Sequence, residues 1–184
     1  MKKDIKEWIF SLGVALLLAI GINSIIVGTK VHGSSMVPTL NHGDILLMLN
    51  SKKIDRGDIV IIDTNLEISP RELEGLNVLA KWKMGKTKEL VKRVIAVEGD
   101  SLIIRDGKVI LNGEELKENY INGAETWGNI NIERIPEDKI FVMGDNRTRS
   151  LDSRDSQIGL VDLDDVKGKI IIRLFPFSKF GKIE

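Results

Sequence analysis

An unbroken apolar run near the N-terminus constrains this chain more than any other feature. Residues 9–27 are rich in Leu, Ile, Val and Ala and carry no charge. A helix over these 19 residues spans about 28 Å, close to the roughly 30 Å of hydrocarbon in a bilayer. Because lysines precede the run, the positive-inside rule predicts a cytoplasmic segment at 1–7, a transmembrane anchor at 8–28 and an extracytoplasmic domain at 29–184.

A cleaved secretory leader is the alternative interpretation of the same run. Ala19-Ile20-Gly21 loosely resembles the small-x-small pattern that precedes a leader cleavage site. The apolar residues continue past that point to Val27, which is longer than a usual leader core and favours a retained anchor. The sequence therefore predicts a single-pass protein of the cell membrane, in contact with the lipid bilayer.

Composition limits the chemistry open to the remaining residues. Lysine plus arginine total 27, equal to aspartate plus glutamate, so we expect no nucleic-acid partner. The absence of cysteine excludes disulfides, thiolate metal sites and a thiol nucleophile. The chain has only two histidines, His32 and His42, too few for most histidine-rich metal sites. We expect neither a metal nor another cofactor.

The domain after the apolar run has the pattern of a mostly β protein. Short apolar or β-branched runs bounded by glycine favour buried strands over helices. Asp106-Gly107 and Asn112-Gly113 are strong signals for tight hairpin turns. The predicted strands lie at 44–49, 58–62, 90–98, 101–105, 108–111, 139–143 and 167–175.

Two insertions are predicted within this β domain. Ser69-Pro70-Arg71-Glu72 combines a capping serine, a proline at the first helical position and a glutamate three residues after the cap. This predicts a helix from residue 69 to about 79 or 82, inside a helical excursion at about 63–89. The second insertion is a small β-hairpin at about 100–138.

A candidate nucleophile follows the apolar run within a few residues. Ser35 lies in Gly33-Ser34-Ser35-Met36-Val37-Pro38-Thr39-Leu40, a turn of small residues bounded by proline. Serine is a weak nucleophile until a neighbouring base takes its proton. The two histidines have the pattern of ordinary surface residues, which leaves a lysine held in its neutral form as the other possible base.

Lys92 fits the requirements for such a lysine. Free lysine has a pKa near 10.4, and burial without a carboxylate partner lowers it toward neutrality. Lys92 lies inside an apolar strand, where alternation places it on one face and Arg93 on the opposite face. On the strand pattern alone, an exposed lysine whose aliphatic stem covers apolar surface is the commoner interpretation.

A polar segment at 141–154 leaves a predicted strand and is dense in charged side chains. Gly144-Asp145-Asn146 is a turn signal. Asp145 and Asp152 with Arg147 and Arg154 can build a buried ion network, and the arginines already compensate the charge that would attract a divalent cation. A solvated loop is the alternative interpretation.

These segments together resemble bacterial type I signal peptidases, also called leader peptidases, in their short Gram-positive-like form. The resemblance covers nearly the whole chain and is carried by segments in the family's order. They are the apolar anchor, Ser-Met-x-Pro-Thr-Leu from Ser35, a Gly-Asp-Ile-Val strand, Lys-Arg-Val from Lys92 with Gly99-Asp100, and Gly-Asp-Asn-Arg from Gly144. The resemblance implies a transmembrane helix followed by a mainly antiparallel β-sheet catalytic domain of the signal-peptidase/SOS-repressor-protease type.

The resemblance also implies roles for individual residues. Ser35 matches the family's nucleophile, Lys92 its general base, and Ser150 the serine that orients the lysine. Asp145, Asp152 and Arg154 match residues that support the site. The residues expected to line the substrate pocket are Val31, Met36, Leu40 and Val91.

Two positions depart from the family pattern. Thr148-Arg149 replaces an Asp-Asn pair, which puts any role of that pair in doubt. Gly33 occupies the place where some members carry a serine that helps to hold the oxyanion, so we expect the backbone N–H of Ser35 to carry most of that task.

The implied activity is removal of signal peptides from exported precursors, through an acyl-enzyme and with preference for Ala-x-Ala cleavage sites. One alternative is a Ser-Lys protease for a narrow set of substrates. The other is an anchored β domain that binds a partner without catalysis.

Overall fold

The computed structural model describes residues 2–68, 87–123 and 125–183. Helix α1 (Lys2–Ile25) is followed directly by strand β1 (Ile26–Lys30), which pairs with β2 (Ile45–Leu49) in antiparallel register. The prediction that the apolar segment stays helical to residue 28 is wrong. Residues 26–30 satisfy their backbone groups in a sheet instead, an environment that suits β-branched Ile26 and Val27.

Helix α1 covers most of the predicted transmembrane anchor. Within the described ranges, no helix combines the length and the apolar character needed to cross a membrane. The predicted transmembrane anchor at 8–28 is therefore not confirmed.

The main sheet has seven strands. Beyond β1 and β2, they are β3 (Ile59–Glu67), β4 (Thr87–Ala96), β9 (Lys139–Met143), β10 (Val161–Asp162) and β11 (Val166–Phe175). Their order is β1-β2-β11-β3-β4-β9-β10, and every neighbouring pair is antiparallel. A mainly antiparallel β domain was predicted and is confirmed.

A second sheet of four strands forms where a hairpin was predicted. Its strands, in the order β7-β6-β5-β8, are β5 (Leu102–Arg105), β6 (Lys108–Leu111), β7 (Glu114–Glu115) and β8 (Ile130–Ile132). Asp106 and Gly107 both have positive φ, at 52° and 77°, as a tight hairpin turn requires. The sequence did not predict β7 and β8, because runs of two and three residues show no usable periodicity.

Strands β3 and β4 are longer than their apolar segments. Asp63 pairs with Glu89 and Glu67 with Thr87, so both ends of the predicted helical excursion at 63–89 are strand. Polar residues continue the ladder here because backbone hydrogen bonds do not depend on the side chain. The helix predicted from 69 to 79 or 82 lies outside the described residues.

Three apolar clusters fill the interior. The first joins the two sheets and includes Ile95, Leu102 and Phe141. The second packs within the main sheet around Val60 and Val94. The third lies beneath the serine-containing turn and consists of Val31, Met36, Leu40, Leu46 and Ile59. Two short 3-10 helices, Leu163–Asp165 and Phe177–Lys179, complete the described elements.

Candidate active site

The turn that carries Ser35 connects β1 to β2 and packs against the third apolar cluster. The side chains of Met36 and Leu40 are 1% and 0% exposed, and the Leu40 N–H donates to the Met36 carbonyl at 2.8 Å. Gly33 enters the turn at φ 88°, a conformation that glycine adopts without strain. Apolar packing therefore holds the turn in place.

Lys92 meets Ser35 from strand β4. Its side chain is buried, at 2% exposure, and its Nζ donates to Oγ of Ser35 at 2.9 Å. Among the described residues this is the hydrogen bond that the lysine makes, and no carboxylate forms an ion pair with it.

Burial lowers the pKa of Lys92 to about 8 and outweighs every other influence on it. The charge of Asp152 opposes this shift, while the charge of Arg154 reinforces it. A lysine with a pKa of about 8 is uncharged in a substantial fraction near neutrality, as a general base requires.

The loop after β9 fastens the backbone of the serine. The Asn146 N–H donates to the Ser35 carbonyl at 2.9 Å, and the Asn146 side chain donates to the Ser34 carbonyl at 3.0 Å. A Cβ at Gly144 would lie 2.5 Å from the Ser35 carbonyl oxygen and 2.3 Å from Oγ of Ser150. Glycine at position 144 therefore allows the loop and the serine turn to approach this closely.

Asp145 forms a buried ion pair with Arg93 of strand β4. Nε and Nη2 of Arg93 donate to the two carboxylate oxygens, each at 2.9 Å, and the exposed fractions of the two side chains are 5% and 0%. The Thr39 hydroxyl donates to the same carboxylate. Asp145 thus ties the far end of the serine turn to the strand that carries Lys92.

Asp152 and Arg154 form a second pair beside the first. Arg154 donates to both carboxylate oxygens, at 2.8 and 2.9 Å, and the Gly144 N–H donates to Asp152 at 3.0 Å. Burial alone would raise the pKa of Asp152, but the Arg154 guanidinium and the Gly144 N–H hold it below its usual range. Arg147 does not join this pair and binds Glu118 instead, so the predicted ion network consists of separate pairs.

Ser150 lies against Gly144 with its hydroxyl buried. Within the described residues, no hydrogen bond joins Oγ of Ser150 to Lys92 in this arrangement. The hydroxyl acts on Asp152 instead, where it helps to lower the pKa of that carboxyl. Its role in orienting the lysine stays a prediction.

The predicted pocket residues share one location. Val31, Met36 and Leu40 belong to the cluster beneath the turn, and Val91 packs against it. Their side chains form core in this structure, and their contact with substrate stays a prediction. The two histidines make an edge-to-face ring contact, and His42 Nδ1 accepts from the Gly33 N–H rather than approaching Ser35.

Sequence reasoning missed several residues around the site. Arg93 was placed on the face opposite Lys92, but its partner Asp145 was not foreseen. Thr39 contacts the site through one hydrogen bond and Asn146 through two, and no local sequence pattern predicts these contacts. Glu118 and Tyr120 lie on the loop that follows β7, and neither residue showed any signal in the sequence.

A mainly antiparallel β domain that presents a serine hydroxyl to a buried lysine points to the class of serine hydrolases. The family described as signal peptidase, peptidase S26, matches residues 5–175. The chain belongs to this family and is a serine peptidase that removes signal peptides.

Two bacterial relatives, from Bacillus licheniformis and Staphylococcus aureus, agree with this assignment. A signal peptidase I from Bacillus licheniformis is 32% identical, with 100% of this chain and 95% of that protein covered. A signal peptidase IB from Staphylococcus aureus is 30% identical, covering 98% and 94%. A crystal structure of a signal peptidase I from Enterococcus faecalis is 26% identical, covers 64% of this chain and 96% of that one, and gives a TM-score of 0.45.

Proposed function

We propose that Ser35 and Lys92 carry out the peptidase reaction as nucleophile and general base. Neutral Lys92 takes the hydroxyl proton of Ser35 while the serine oxygen attacks the scissile carbonyl. The protonated lysine then gives its proton to the departing amine, and an acyl-enzyme remains on Ser35. Lys92 next removes a proton from water, whose oxygen attacks the ester carbon. The bond to Ser35 Oγ then breaks, the signal peptide leaves with a free carboxyl end, and the protonated lysine returns its proton to the serine oxygen. The observation that carries this proposal is the 2.9 Å contact between a serine hydroxyl and a buried lysine.

The backbone N–H of Ser35 is the donor we assign to the oxyanion. It makes no hydrogen bond among the described residues, whereas the neighbouring carbonyls of Ser34 and Ser35 are both occupied by Asn146. A free N–H beside the attacking oxygen is the geometry that stabilises a developing oxyanion.

The substrates we assign are exported precursors with small residues before the cut, in the Ala-x-Ala pattern. The side chains beneath the turn are tightly packed, so a shallow pocket formed there would accept only small groups. Ser150 turns its hydroxyl toward Lys92 when substrate is bound, and Asp145, Asp152 and Arg154 keep the two catalytic residues in register.

The pH dependence tests the base. Because Lys92 acts in its neutral form and its pKa is about 8, cleavage is expected to rise with pH and level off above about 8. At pH 6, roughly one molecule in a hundred has a neutral lysine, so kcat/KM falls about 100-fold. A pH series of precursor cleavage measures this, and a flat profile between pH 6 and 8 contradicts a lysine base.

Helix α1 is proposed to tether the domain to the outer face of the cell membrane. The apolar side chains of its residues 8–17 are exposed, with Trp8, Phe10 and Leu17 each more than 70% accessible. In the sequence, a stretch of 19 residues without charge, preceded by lysines, supports a single pass with residues 1–7 in the cytoplasm.

Alkaline carbonate extraction of membranes tests the tether. The wild-type chain is expected to stay in the membrane pellet, whereas replacing both Leu16 and Leu17 by lysine is expected to release the protein, because charge within the hydrocarbon is costly. Release of the wild-type chain by carbonate contradicts the tether.

A further inference from the structure

We propose that Glu118 and Tyr120 are positioning residues for the peptidase reaction. Both lie on the loop that connects β7 to β8, in the four-stranded sheet, and both contact arginines that hold the serine turn. The inference rests on the proposed function, since the reaction in question is that of Ser35 and Lys92.

Tyr120 covers the Arg93 guanidinium. The Cζ atom of Arg93 lies 4.0 Å from the centre of the tyrosine ring, within the range of a cation–π contact. The Tyr120 hydroxyl donates to Glu118 at 2.8 Å, which fixes the angle of the ring. Burial raises the pKa of Tyr120, and the charge of Glu118 acts in the same direction, so the ring stays a neutral phenol.

Glu118 holds the second arginine. Nη1 of Arg147 donates to one of its carboxylate oxygens at 2.8 Å, and Nη2 donates to the other. The exposed fractions of the Arg147 and Glu118 side chains are 0% and 7%. Nε of Arg147 donates to the Gly144 carbonyl at 3.1 Å. The carboxylate thus fixes the arginine that supports the loop behind the serine.

Two connected routes lead from this loop to the serine turn. One runs from Tyr120 through Arg93 and Asp145 to the Thr39 hydroxyl. The other runs from Glu118 through Arg147 to Gly144, two residues before the Asn146 N–H that binds the Ser35 carbonyl.

Neither route includes a hydrogen bond to the Lys92 amine. The charge of Asp145, on the first route, raises the pKa of Lys92, but Asp145 keeps its carboxylate in the variants proposed below. The geometry therefore predicts that the loop sets the position of the Ser35 oxygen and leaves the basicity of the lysine unchanged. A displacement of about 1 Å at a reacting atom can cost about 100-fold in rate.

Steady-state kinetics of four variants of the full chain test the inference. Tyr120→Leu, which removes the ring, is expected to lower kcat about 10- to 100-fold with little change in KM. Tyr120→Phe keeps the stacked ring and is expected to recover most of that loss. Glu118→Gln keeps the size of the side chain but removes its charge, and is expected to lower kcat as well. Its matched control is Glu115→Gln, a glutamate of the same sheet in an exposed pair with Lys108, and no change is expected there.

The pH profile separates positioning from other effects. The midpoint of the rising limb is expected to stay where it is in the wild type, because the variants keep Lys92 buried and keep the charges that act on it, those of Asp152, Arg154 and Asp145. Tyr120→Leu and Glu118→Gln variants that fold and keep wild-type kcat overturn the inference, and so does a shifted midpoint. If the Tyr120→Leu variant fails to fold, the kcat of the Glu118→Gln variant, which preserves the size of the side chain, decides whether the inference holds. Cleavage by a Ser35→Ala variant would instead overturn the proposed function, so the two failures are distinguishable.

Discussion

Replacing Ser35 by alanine or Lys92 by methionine is expected to lower kcat/KM for precursor cleavage by about 10⁴-fold or more. The first change removes the nucleophile and the second removes the base, and the two act as one unit across a 2.9 Å contact. Both losses should therefore be of similar size, and the double variant should be no worse than either single one. Cleavage of a purified precursor, followed by gel or mass spectrometry, measures the effect.

Folding of these variants is expected to be intact. Methionine matches the length of the lysine stem and removes a buried ammonium, so Lys92→Met should be at least as stable as the wild type. Ser156→Ala and Lys53→Met change exposed residues away from the site and serve as matched controls with unchanged activity. Either dyad variant turning over at the wild-type rate would rule out the proposed mechanism.

Replacing Asp145 by asparagine is expected to lower the free energy of unfolding by about 3–5 kcal/mol and to impair cleavage. The change leaves the Arg93 guanidinium buried beside a neutral group, and burying an uncompensated charge is the main cost. It also weakens the acceptor of the Thr39 hydroxyl, so the serine turn loses one of its attachments.

Urea unfolding and cleavage kinetics, measured on the same preparation, report both effects of Asp145→Asn. The matched control is Asp106→Asn, because Asp106 pairs with Arg105 at the surface, where the side chains are 86% and 65% exposed. Pairs of that kind contribute little to stability, so no measurable change is expected. An Asp145→Asn protein as stable as the control would show that the buried pair does not hold the site.

The N-terminal segment contains a helix–strand boundary that hydrophobic periodicity does not predict. Residues 9–27 are apolar throughout, so the pattern does not mark the switch from helix α1 to strand β1 at Ile25 and Ile26. Pairing with β2, which lies many residues later in the chain, decides that boundary. In contrast, the apolar parts of β2, β3, β4, β9 and β11 and the Asp106-Gly107 turn were predicted correctly, because glycine punctuation and residue preferences act locally.

The candidate site likewise contains residues that the sequence predicted and residues that only the fold brings together. The resemblance pointed to Ser35 and Lys92, and the structure brings them within hydrogen-bonding distance. The partner of Asp145 depends on the register between β4 and β9, in which Arg93 lies opposite Met143, and a single sequence does not reveal that register. Glu118 and Tyr120 reach the site from a separate sheet, so only the assembled fold brings them to the arginines.

Peptide mapping of the protein after treatment with a serine-directed acylating lactam tests the central claim most directly. One acyl group is expected per chain, on the peptide that contains Ser35, with a labelling rate that rises with pH alongside cleavage. The Lys92→Met protein is expected to stay unlabelled over the same period. A label on another serine, or Ser35 labelled at an undiminished rate without Lys92, would contradict a serine nucleophile activated by this lysine.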